Sequence, residues 1–73
     1  MAIVVVGGWE PGFEKVKFTR LLMDRLGMGL AGVKHATDAL LAGESLFLEF
    51  ETDLAAEHFA TSARILGTLT SEE

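Results

Sequence analysis

The chain has 73 residues, is 49% hydrophobic, carries a net charge of −5 and contains no cysteine. That length makes one small domain, and the cysteine count excludes both a disulfide framework and a thiolate metal site. So apolar a composition in so short a chain leaves apolar surface outside the core, which favours self-association or a partner.

Ala2 to Val6 is a continuous apolar, mostly β-branched run and reads as a strand, central in its sheet or covered on both sides. No basic stretch precedes it, and it is too short for a signal peptide or a membrane span, so a cytoplasmic protein is expected. GGWEPG (Gly7 to Gly12) then breaks the chain, and Pro11 suits a first helical turn with Glu10 or Gly12 near the cap. From Phe13 to Leu26 the spacing predicts a helix whose apolar stripe is Phe18, Leu21, Leu22 and Leu26. Lys15, Thr19 and Met23 form the neighbouring face, with Val16 and Arg20 beside it. Gly27-Met28-Gly29 reads as a corner between helices: Gly27 takes the positive φ that ends a helix, and Gly29 keeps the corner free of side-chain bulk.

A second helix is expected from Leu30 to Ala42. Leu30, Val33, Thr37, Leu40 and Leu41 share one face, Ala31, Lys34, His35 and Asp38 share the other, and Gly43 ends it. Ser45 to Glu51 alternates as a strand does, with Leu46, Leu48 and Phe50 on one face and Phe47, Glu49 and Glu51 on the other. A third helix starts at Glu51 to Asp53, where Thr52 or Asp53 accepts from free backbone N–H groups. Ala55, Phe59, Ala63 and Leu66 form its inner stripe, and Gly67 stops it. Thr68 to Thr70 reads as a short last strand and Ser71 to Glu73 as a frayed acidic tail.

The order β-α-α-β-α-β predicts an α+β fold over residues 1–73, a two-layer sandwich with a three-stranded antiparallel sheet and helices on one face. The back of such a sheet has no helices over it. Because the first strand is apolar on both faces and Phe47 points to the back, a second copy is expected to cover it, through Val4, Val6 and Phe47.

Chemistry is sparse. GGWEPGF has Phe13 where a phosphate-binding loop needs lysine, and GMGLAG (Gly27 to Gly32) has the spacing of a dinucleotide fingerprint but follows a helix and not the strand that the fingerprint requires. His35 and His58 are the only histidines; Asp38 lies one turn from His35 and Ser62 one turn from His58, but neither histidine has both a nucleophile and an orienting carboxylate at helical spacing. Two histidines 23 residues apart do not define a metal site, and Glu49, Glu51 and Asp53 read as a solvated strand end. No catalytic residue, cofactor or metal is assigned, and a non-enzymatic protein is expected.

Charge is unevenly distributed. Lys15, Lys17, Arg20, Arg25 and Lys34 stand against Asp24 alone, whereas beyond residue 34 eight acids face only Arg64. A basic segment on an acidic body steers an acidic partner to one face. The overall acidity and the lack of interleaved aromatics argue against nucleic acid.

The run EKVKFTRLLMDRLGMGLAGVKHATDALLAG (Glu14 to Gly43) resembles the C-terminal domain of the bacterial ribosomal stalk protein. The shared features are Lys15-Val16, the apolar helix to Leu26, the turn Gly27-Met28-Gly29-Leu30 and Lys34 in the second helix. The element order agrees along all 73 residues. The resemblance implies a protein-interaction module that docks a translation factor through basic residues of the two helices. It places Lys15 and Lys34 at contact positions, with Arg20 near them and Gly29 and Leu30 at the turn; Thr19 and Met23 join this partner-binding set by their helical spacing from Lys15. Met23 stands where the family has a basic residue and Gly32 where it has a glutamate. That family's N-terminal dimerisation domain and hinge have no counterpart in this sequence, so the resemblance concerns the domain and not a whole stalk subunit. The Clp protease adaptor for N-degron substrates is similar in element order and in the AG that ends the second helix, but Gly7-Gly8-Trp9 stands in place of its Asn-Asp pair. A substrate-delivering adaptor, or a small-ligand binder using the Gly7 to Gly12 loop, is the alternative.

Overall fold

The computed structural model describes residues 1–73. Its elements run β1 (Ala2–Trp9), α1 (Lys15–Leu26), α2 (Leu30–Leu41), β2 (Leu46–Phe50), α3 (Asp53–Ile65) and β3 (Thr68–Glu72). The strands form one antiparallel sheet in the order β2-β1-β3, an α+β arrangement with the element order read from the sequence. No helix is long and apolar enough to cross a membrane.

Strand alternation decides which side chains meet the helices. Ala2, Val4 and Val6 point to the helical layer, and their β2 partners Phe50, Leu48 and Leu46 stand on the same face. Val4 and Val6 are fully buried against the helices together with Phe18, Leu22, Val33, Leu40 and Phe59. This corrects the expected back face. Val4 and Val6 cannot reach a second copy, and the residues that alternate with them to the open side are Ile3 and Val5, beside Phe47 and, on β3, Leu69. Aromatic rings run through the core from Phe13 to Phe18 (centroids 5.5 Å apart), to Phe59 (6.4 Å) and on to Phe50 (5.2 Å).

β1 is longer than its apolar run because Gly7 is an extra residue. Val6 pairs with Thr70 and Gly8 with Leu69, so the alternation is inverted beyond this bulge. Trp9 consequently lies opposite buried Thr68, and its ring sits 6.3 Å from that of Phe13. The segment after it is turn, not helix. Phe13 N–H donates to Glu10 O and Glu14 N–H donates to Leu66 O, which ties the chain to the end of α3 and delays α1 to Lys15. Pro11 therefore belongs to the turn.

α3 starts where the sequence places it: the Thr52 hydroxyl accepts from Ala55 N–H (3.1 Å) and caps the helix. Its inner stripe differs, being Ala56, Phe59, Ala60 and Ala63, with Ala55 exposed. The acidic end is not frayed: Ser71 and Glu72 continue β3, and Glu73 N–H donates to Ile3 O (2.8 Å). Gly67 has φ +99°, and a Cβ there would stand 2.9 Å from Phe13 Cα. Only glycine allows α3 to turn into β3 so close beneath the β1–α1 loop.

Candidate functional site

The two helices of the basic segment fold back on each other. α1 ends at Leu26 and α2 starts at Leu30. Gly27, at φ +63°, donates its N–H to Met23 O and ends α1 in the left-handed conformation that the Gly-Met-Gly run requires. Gly29 is extended and serves as the α2 N-cap, and a Cβ there would meet nothing within 4 Å. Of the two glycines, the backbone thus needs only Gly27.

Thr19 and Thr37 mark the seam. Their hydroxyl oxygens are 3.3 Å apart, and Thr19 Oγ1 also donates to Lys15 O (2.9 Å). A threonine hydroxyl has one proton, so the donor across the seam is Thr37. Thr37 is buried, and this contact satisfies it. Thr19 belongs by spacing to the expected partner-contacting face, but its hydroxyl is engaged inside the protein. Counted from the corner, Thr19 lies seven residues before the end of α1 and Thr37 seven after the start of α2. Their contact therefore makes the pair an antiparallel hairpin.

The hairpin sorts the remaining candidates. Lys15 lies one turn before Thr19 and Lys34 one turn before Thr37, so in an antiparallel pair they flank the seam from opposite ends, about 10 Å apart along the axes. Leu30 shares its spacing with the inner face of α2, yet it is 71% exposed; it stands one turn from Lys34 at the corner. Met23 (38% exposed) is one turn from Thr19 on α1. Arg20 separates from this set. Together with Lys17, Leu21, Ile65 and Leu66 it lines an open groove of about 320 Å³ on the other flank of α1, against α3. Lys15, Arg20 and Lys34 make no ion pair, whereas Lys17 is held by Glu14 (3.1 Å) and Arg64 by Glu72 (3.8 Å).

Two exposed apolar side chains beside the hairpin and its groove lie outside the contact set expected from the sequence. Val16, 75% exposed, adjoins Lys15, and Ile65 projects from the end of α3 at the rim of the groove. Ile65 lies off every stripe that packs α3, and its distance from that stripe is the signal in the sequence. Elsewhere the potential chemistry stays dispersed. No three His, Asp or Glu side chains converge at a metal-binding distance. Trp9 lines none of the surface hollows, and its loop is held by a hydrogen bond from Glu10 N–H to Gly67 O (2.9 Å).

No family model, curated protein or solved structure matches the chain. The likeness to the stalk domain accordingly rests on residues 14–43 and on the element order.

Proposed function

We propose that this protein is a non-enzymatic interaction module whose α1–α2 hairpin receives an acidic protein surface, in the manner of the factor-binding domain it resembles. One observation carries the reading. Lys15 and Lys34, both without ion pairs, flank a seam whose surroundings also expose Val16, Met23 and Leu30. Free cations around exposed apolar groups supply steering from a distance and burial on contact. Arg20, on the outer flank of α1, adds charge to the approach more than to the contact. A translation factor with an acidic patch is the partner class.

The test is the association rate of a purified translation factor with the wild type and with Lys15→Glu/Lys34→Glu. The double reversal is expected to lower the rate at least tenfold at low salt, with the gap closing as salt rises. Equal rates for both proteins would remove the hairpin as the binding face.

A further inference from the structure

We propose that this protein forms a homodimer by pairing β2 with β2 of a second copy, continuing the sheet to six strands. The proposal rests on the difference between the two edges of the sheet and stands apart from the partner-binding reading.

Backbone directions are set by one hydrogen bond. Ile3 O accepts from Glu73 N–H, so Ile3 turns its backbone groups toward β3. In an antiparallel ladder the direction alternates, which turns Ala2, Val4 and Val6 toward β2. Their partners Phe50, Leu48 and Leu46 direct their N–H and C=O groups to β1, whereas Phe47 and Glu49 point theirs outward from the edge. No backbone bond from another segment reaches these outward groups. β2 carries no proline, lysine or bulge, and the one charge on this short edge is Glu49.

The β3 edge is partly covered. By the same alternation Thr70 points its carbonyl outward, and there Arg64 Nε donates to it (3.0 Å) while Glu72 holds the guanidinium. An arginine from α3 thus occupies an outward carbonyl of one edge, and no side chain hydrogen-bonds the outward groups of the other.

The self-complementary pattern of β2 points to a second copy as the occupant, and charge sets the register. Pairing centred on Phe47 sets Phe47 against its symmetry mate, Leu46 against Leu48, and Glu49 against Ser45, with about six main-chain hydrogen bonds. The two Glu49 carboxylates are then about 14 Å apart along the strands, beyond a Debye length of ~10 Å. Centring on Leu48 halves that separation, and centring on Glu49 opposes the carboxylates directly. Face-to-face packing of the open sheet sides is disfavoured because it would bring Glu49, on the edge strand beside Ile3, against the apolar side chains of the other copy. Edge pairing covers half-buried Leu46 and Leu48 and leaves Glu49 in solvent. Its two-fold axis is normal to the sheet, so both helical layers, and both α1–α2 hairpins, lie on the same side of the dimer.

Sedimentation equilibrium from micromolar to millimolar concentration tests the proposal on the full chain. The wild type is expected to dimerise reversibly, more tightly at higher salt because each copy is negatively charged. Phe47→Pro removes an outward N–H while sparing the bonds to β1, and is expected to weaken the dimer at least tenfold with an unchanged circular dichroism spectrum. Leu69→Ser, on the open face of the far strand, is expected to leave the dimer unchanged. Should Phe47→Pro fail to fold, the absence of native cysteine gives a second readout. Phe47→Cys is expected to oxidise to a covalent dimer, since paired Cα atoms lie ~5.5 Å apart. Glu49→Cys, too distant from its mate, is expected to remain monomeric in denaturing gels. A wild type that stays monomeric at millimolar concentration overturns the proposal. So does a dimer broken by Leu69→Ser and kept by Phe47→Pro, or equal cross-linking at the two cysteine positions.

Discussion

The two edges of the sheet are built from the same kind of short strand but are finished differently. β3 has Arg64 over the outward carbonyl of Thr70 and its last residues bonded to β1; β2 presents Phe47 and Glu49 with their backbone groups free. The difference lies in which element ends beside each strand. α3 ends beside β3, so a single basic residue in its last turn can reach the edge. Arg25 of α1 lies near the end of β2, but no side chain hydrogen-bonds the outward groups of Phe47 and Glu49. An edge strand is protected by a specific side chain, and where none is supplied the pairing capacity of the backbone remains.

The largest expected effect removes the support common to both edges. Phe59 is fully buried between Phe18 and Phe50, and Phe59→Ala is expected to lower unfolding stability by about 3–5 kcal/mol, measured by urea denaturation. A loss below ~1 kcal/mol would show that the core does not hold the sheet in the way described.

A smaller effect is expected at the covered edge alone. Gly67→Ala forces a Cβ toward the Phe13 backbone at a φ of +99°, and is expected to cost about 2–3 kcal/mol. Hydrogen exchange sharpens the comparison. The amides of β3 and of Glu10 and Glu14 should lose protection before those of β2, because the turn at Gly67 anchors that side only.

Arg64→Ala is expected to have the smallest effect on stability, below ~1 kcal/mol, because the ion pair with Glu72 is largely exposed. Its effect on assembly is the informative one. With both edges bare, light scattering should report species larger than a dimer, since each copy can then pair on two sides. If the variant assembles as the wild type does, the guanidinium is not what closes the β3 edge.

Much of this fold was legible from local pattern. Alternation in Leu46 to Phe50, helical spacing around Phe18 and Leu22, and the stop at Gly27 each reflect a constraint that acts within a few residues. The errors share one cause, which is contact between distant segments. Glu14 N–H bonded to Leu66 O delays α1, and Ile3 O accepting from Glu73 N–H turns an apparent tail into strand. The Gly7 bulge reverses the side on which Trp9 lies, which no count from Ala2 reveals. The candidate site was legible as a set of charges. The contact that engages the Thr19 hydroxyl and the parting of Arg20 from Lys15 and Lys34 depend on where α2 and α3 pack.

The sequence by itself determined the number and order of elements, the basic character of the α1–α2 segment and the glycine corner within it. Periodicity, charge and backbone freedom are local properties that survive without a fold. Tertiary structure decided which face of β1 is core, which candidate side chains share a surface, and which edge of the sheet is open. Each of these depends on register and packing between segments far apart in the chain, and one residue of register reverses every side chain of a strand.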